Sequence, residues 1–225
     1  MRLFSYVLDH DFGFAPNPFC GMCTLATCKP KIRAIARPGD VVMGTGCAKR
    51  KRRGFLVYYM VVSEAMTFEQ YWADGRFASK RPTMRGSFMQ AVGDNIYHRD
   101  PIGGGWFQEN SLHSLSDGTP NAQNVAHDTR IDRVLVAEDF AYWGGSGPAI
   151  PEQLRNFEGA DVVAGRSHRS VFSSGHLAAI VEWLRSLGPH GYKGRPLNWT
   201  LIPRSAVSSS GRARSGSRGG VVPAK

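Results

Sequence analysis

Between Gly13 and Gly21 the chain reads Gly-Phe-Ala-Pro-Asn-Pro-Phe-Cys-Gly, and two prolines with two glycines bar a regular helix or strand there. Ordering such a segment costs about 1–2 kcal/mol of backbone entropy per residue, so a chain keeps it for what it presents. It presents a dense polar set. From Asp9 to Arg33 lie three of the four cysteines (Cys20, Cys23, Cys28), an acid at Asp11, an amide at Asn17, hydroxyls at Thr24 and Thr27, and the cations Lys29, Lys31 and Arg33, interleaved with Phe12, Phe14 and Phe19.

The flanking sequence predicts regular elements on both sides of this loop. Leu3 to Leu8 alternates as a first strand. Leu25, Cys28, Ile32 and Ile35 recur at helical spacing, and Pro30 fits the first turn of a helix from about Lys29 to Ala36, whose amino end would face the loop and favour an anion. Pro38-Gly39-Asp40 is a turn leading into the strand Val41–Gly46. The apolar run Gly54–Val62 is the strongest strand in the chain, and the two should pair as a hairpin with Lys49 to Arg53 at its exposed tip. Thr67 and Gln70 form a capping box opening a short helix. From Gly75 to Pro120 periodicity is poor, so a functional loop region is expected, too aromatic to be disordered. Residues 133–137 and 140–143 resemble strands. Ser174 to Leu187 is a helix with Ser174 as cap and Gly188-Pro189 as stop.

Of 28 basic residues, five lie in the run Lys49 to Arg53 and five from Arg204 to Lys225, leaving 18 basic against 18 acidic residues. The formal charge of +10 thus reports one loop and one tail. Length suits one domain, residues 1–203, followed by a basic, serine- and glycine-rich tail, 204–225, expected to be disordered. No apolar run reaches the roughly 18 residues of a membrane span, and no secretory signal leads the chain, so a cytoplasmic location with reduced thiols is expected and no membrane partner.

Longer motifs carry a resemblance. Ser5-Tyr6-Val7, Gly13 to Phe19, Cys23-Thr24-Leu25-Ala26-Thr27-Cys28-Lys29-Pro30-Lys31-Ile32-Arg33, Gly39-Asp40, Gly44-Thr45-Gly46, Gly93-Asp94-Asn95-Ile96-Tyr97-His98-Arg99, Asn124 and His127-Asp128-Thr129 resemble the nucleotide modification associated domain family, second type, over residues 1 to 200. The resemblance implies association with systems that make or handle modified bases in DNA, and hence DNA or a free nucleotide as partner. The Gly-Asp turn, the hairpin and Thr67 to Trp72 are also similar to the PUA-like barrels that read flipped bases. The expected fold is therefore a single α+β domain with a small, mostly antiparallel β-barrel and a few peripheral helices.

Two functional classes stay open: recognition of a nucleobase or nucleotide, with its chemical alteration as an extension, or an enzyme using a cysteine nucleophile or a His/Asp cluster. For catalysis the candidates are Cys28, beside Lys29 and the helix amino end, with Cys23 as a second thiol, and the titratable groups Asp11, Asp94 and His98. His113, Asp117, His127 and Asp128 extend the last set into a possible cluster. Base or nucleotide contacts are expected from Asn17, Thr24, Lys29, Arg33 and Thr45, from Tyr71, Trp72, Asn95, Tyr97 and Trp106, and from Asn124 and Asp128, the aromatic members by stacking. Cys20-x2-Cys23-x4-Cys28 lacks a fourth zinc ligand nearby, so neither metal nor cofactor is expected. A binder can leave Cys28 buried; an enzyme has to open it to a pocket.

Overall fold

The computed structural model describes residues 1–165, 167–188 and 190–201; Pro189 and the tail from residue 204 lie outside the described residues. Strand β1 (Leu3–Leu8) leads into the Gly- and Pro-rich loop, which returns as β2 (Cys23–Leu25) and α1 (Pro30–Ile35). Strands β3 (Val41–Gly46) and β4 (Leu56–Val61) pair antiparallel with the basic run between them, as expected. After β5 (Glu64–Met66), Thr67 accepts from the Gln70 amide and Gln70 returns a bond to the Thr67 amide, the capping box that starts α2 (Phe68–Ala73).

The stretch expected to be irregular carries more order than its composition suggests. A 3-10 segment covers Gly75–Lys80, and Ser87 and Gln90 form a second capping box on α3 (Phe88–Ala91). Strands β6 (Tyr97–Arg99) and β7 (Trp106–Gln108) form a hairpin. Three-residue strands around Gly103-Gly104-Gly105 are too short for alternation to register, which is why the pairing escapes a reading by period. Helix α4 (Ala122–Thr129) is capped by the Asn121 side chain; β8 (Val134–Ala137) and β9 (Asp139–Tyr142) follow. After α5 (Glu152–Arg155) and β10 (His168–Arg169) comes α6 (Ser174–Ser186), capped by Ser173, one residue before the position expected, and then β11 (Gly191–Tyr192).

The main sheet runs β10-β1-β3-β4-β9-β11, and β2-β8-β5 form a smaller one. Strands β1 and β3 are parallel, as are β9 and β11, while the other pairs of both sheets are antiparallel. No pairing among the described residues closes either sheet, so the barrel expected from the sequence is replaced by open sheets in a mixed α+β domain. The crossover from β1 to its parallel partner β3 carries β2 and α1, whose Leu25 and Ile32 share a core cluster with Phe4 and Tyr6 of the main sheet.

Alternation divides the interior. Phe4, Tyr6, Val42, Tyr58 and Met60 meet Leu25, Ile32 and Leu135 between the two sheets. Leu3, Met43, Tyr59 and Ala141 pack against Ile180 and Leu184 of α6 on the opposite face. The outer face of the small sheet, Val134 and Val136, packs with Phe14, Phe19, Phe68, Tyr71 and Tyr97. That third cluster fixes the opening loop: its Phe14 and Phe19 are core while Phe12 stays exposed, so the polar residues between them are held in register. Among the described residues no helix is long and apolar enough to cross a membrane.

Candidate functional site

Cys28 and Lys29 occupy the joint between β2 and α1, and both have left-handed backbone, φ +56° and +38°. A non-glycine residue held there costs on the order of 1–3 kcal/mol and persists only where its surroundings enforce it. Here the enforcement is explicit. The Cys28 amide donates to Asp128 Oδ1 at 2.8 Å, and the Cys28 carbonyl accepts from Arg33 Nε at 2.9 Å. Arg33 is fully buried and spends its remaining donors on the carbonyls of Asp128, Ile131 and Arg133 at 2.6 to 2.9 Å. The residue expected to contact a nucleotide is instead the buried clamp that ties α1 to the end of α4.

With the turn so fixed, Cys28 Sγ lies 3.7 Å from His113 Nε2, and His113 Nδ1 lies 2.8 Å from Asp128 Oδ2. Tyr97 donates its hydroxyl to the same Asp128 oxygen at 2.9 Å and accepts from Gln108 Nε2 at 3.1 Å. Asn124 Nδ2 holds the His113 carbonyl at 2.8 Å, and the Phe14 ring packs on the imidazole with centroids 4.7 Å apart. Asn124 and Asp128 are four residues apart on α4, which puts both on the face turned toward His113. A nucleophile, a base and a carboxylate that orients the base are thus assembled from three separate segments, the constellation that activates a cysteine.

The electrostatics support an ion pair. Burial alone would lower the His113 pKa, but the hydrogen bond to Asp128 and the neighbouring Cys28 sulfur outweigh it and raise it from 6.5 to about 9. Burial would likewise raise the Asp128 carboxyl, yet His113, the Cys28 amide and Arg33 hold it below the usual carboxylate range. At neutral pH the proton therefore rests on His113, facing the sulfur. A stability consequence follows by linkage. His113 has a folded pKa above its unfolded value, so its contribution is complete below about pH 6.5 and is lost as pH rises through about 9. Asp128 has the opposite sign, and its contribution is present above the ordinary carboxylate range and lost on acidification. Urea unfolding midpoints should hence decline between about pH 6.5 and 9 by on the order of 2–3 kcal/mol. The decline should vanish in His113→Asn; an equal decline in that variant would refute the assignment.

The other sequence candidates gather elsewhere. Asp94 is fully buried and accepts from the Thr24 and Tyr71 hydroxyls, both at 2.7 Å. Lys80, missed in the sequence, is buried beside it and donates to Asn17 Oδ1 at 2.7 Å and to the Asn17 and Met22 carbonyls. Burial raises the Asp94 pKa and lowers that of Lys80, each opposed by the charge of the other. Asn17 and Asp94 are therefore drawn together, but in an interior network that seals the opening loop; Asn95 joins it through the Tyr71 and Phe77 carbonyls. Asp11 is buried, accepts from the Tyr142 hydroxyl and the Leu197 amide, and so pins the C-terminal segment. His98 bonds Glu109 and stacks between Trp72 and Phe107, Trp106 packs under Arg99, and Thr45 bonds the Tyr6 carbonyl within the sheet. Cys23 is core, and the four cysteines are free. Among the described residues no three His, Cys, Asp or Glu are grouped to hold a metal ion.

The family model for nucleotide modification associated domain 2 matches residues 1–202. No curated protein and no solved structure matches the chain.

Proposed function

The chain belongs to the nucleotide modification associated domain 2 family, and from that premise we propose that it is a thiol-dependent enzyme of a nucleotide-modification system. Its substrate is a nucleotide, free or within DNA. The observation that carries this reading is the Cys28–His113–Asp128 arrangement, whose Cys28 lines an open pocket of about 440 Å³. Pockets of that size suit a small ligand. A residue kept only for packing needs neither a left-handed turn nor a charged imidazole against its sulfur.

In the attack, Cys28 Sγ forms a bond to an electrophilic carbon of the substrate. The electron pair of that carbon's π bond or leaving group moves outward and takes the proton held at His113 Nε2. The neutral imidazole then accepts a proton from an incoming water or amine, which displaces the sulfur and restores the starting state. Asp128 keeps the imidazole in one tautomer throughout. Lys29, whose ammonium sits 4.5 Å from the Tyr6 ring centroid and lines the same pocket, is placed to stabilise negative charge that develops beside Cys28. We place the protein in the cytoplasm, where thiols are kept reduced.

Recognition of a base or nucleotide without chemistry is the competing account. The two separate in a pH series of iodoacetamide labelling on the native protein, with the modified residue located by mass. Native Cys28 should label near neutral pH faster than the exposed Cys20, an advantage lost in His113→Asn. Labelling of Cys28 only above about pH 8, or only on unfolding, would remove the enzyme reading and favour the binder.

A further inference from the structure

The pocket onto which Cys28 opens is charged in one sense. Lys29 and Lys31 come from the start of α1, His127 and Arg130 from the end of α4, and His168 from β10, while Asp9 is the one carboxylate among the lining residues. Three arginines elsewhere are ion-paired, Arg2 with Asp40, Arg76 with Glu64 and Asp74, and Arg155 with Asp161. Among the described residues none of Lys29, Lys31 and Arg130 has an ion-pair partner. Burial lowers the His168 pKa, and Lys31 and Lys29 lower it further. Two segments far apart in sequence thus converge the cations Lys29, Lys31 and Arg130 on one wall, with the His168 imidazole beside them, and their mutual repulsion has a cost that a bound anion would relieve.

We infer that this wall is a phosphate subsite, in which Lys31, Arg130 and His168 hold the phosphate of the nucleotide whose reacting carbon meets Cys28. The inference rests on the thiol-chemistry reading above for the identity of the ligand. It adds the anchoring group and the residues that bind it. Exposed Lys31 and Arg130 reach in from the rim, and half-buried Lys29 and His168 lie deeper, so a phosphate at the rim would leave sugar and base to extend along the pocket toward the sulfur. Two sources share this chemistry: the monoester of a free nucleotide and a phosphodiester of a DNA strand.

The test uses the full chain carrying Cys28→Ser, which keeps the pocket and removes the nucleophile. The four common deoxynucleosides, their 5′-monophosphates and a short single-stranded oligonucleotide are titrated calorimetrically. At least one monophosphate or the oligonucleotide should bind about tenfold or more tightly than the matching nucleoside, which corresponds to about 1.4 kcal/mol. That advantage should fall to about threefold or less in Lys31→Gln/Arg130→Gln, with thermal unfolding unchanged because both side chains are exposed. Preference for the monophosphate assigns the free nucleotide, and preference for the oligonucleotide assigns the strand; either supports the subsite. Equal binding of nucleoside and nucleotide, an advantage that survives the double substitution, or no binding of any phosphate-bearing ligand at about millimolar concentration overturns it. The two readings fail separately. Phosphate-dependent binding with an unreactive native Cys28 sinks the chemistry and keeps the subsite, and a reactive Cys28 with phosphate-blind binding does the reverse.

Discussion

Replacing Asp128 by asparagine is expected to slow alkylation of native Cys28 near neutral pH by roughly 100-fold, less than the roughly 10⁴-fold that loss of an orienting carboxylate costs full turnover, because alkylation uses only the first step. Asp128 accepts from three donors, the Cys28 amide, the Tyr97 hydroxyl and His113 Nδ1. An asparagine side chain offers one oxygen and one NH2 group, so at least one donor loses its partner whichever way the amide turns. If the NH2 group faces His113, the imidazole has to adopt the other tautomer. If it faces the Cys28 amide, two donors meet and the left-handed turn loses its restraint. In both cases the burial that lowers the His113 pKa stays, while the hydrogen bond that raised it is weakened. The proton then leaves His113 at neutral pH, and the sulfur loses its cation. Tyr97→Phe, which removes one donor to Asp128 and one acceptor for Gln108 Nε2, should slow labelling by less than about tenfold. Unfolding midpoints measured alongside separate loss of reactivity from loss of fold. Labelling of Asp128→Asn at the wild-type rate and with the wild-type pH profile would dismantle the proposed relay.

The second large effect is on stability. Arg33→Met should cost about 3–5 kcal/mol, as removal of one member of a buried charged network does. Methionine fills much of the same volume, so the loss is not a cavity. It comes from the carbonyls of Cys28, Asp128, Ile131 and Arg133, all of which accept from the guanidinium and would be left in the interior without it. Arg33→Lys should recover little, because one ammonium cannot reach partners spread around a planar fork. A urea midpoint within the equivalent of about 1 kcal/mol of wild type would show that water or a shifted side chain satisfies those carbonyls.

Part of this site is readable from residues close together in the chain. Cys28 stands out beside two lysines, and Asn124 and Asp128 sit at the spacing that aligns side chains on a helix. Asp94 and His98 attracted equal attention because their segment is polar, aromatic and irregular. Asp94 is set apart from Cys28 by burial, sealed under the opening loop by Thr24, Tyr71 and the nearby Lys80, and His98, half-buried like Cys28, by the ring stack that holds it. Neither burial nor a partner such as Lys80 leaves a trace at short range.

The sequence by itself determined the elements whose causes act within a few residues: the capping box at Thr67, the alternation of β1, the apolar runs of β3 and β4, the hairpin that carries the basic run, and the spacing of α6. These follow from local hydrogen bonds and from which face an apolar residue presents. Only the tertiary structure decided that the sheets stay open and that Cys28, His113 and Asp128 meet. Sheet closure depends on which strands pair, and β1 pairs in parallel with β3 across a crossover that no single segment announces. The triad spans 85 residues between Cys28 and His113 and a further 15 to Asp128, so its closure rests on the chain path through two loops and a helix. A buried guanidinium then locks that path, because leaving four carbonyls unpaired would cost more than the turn it enforces.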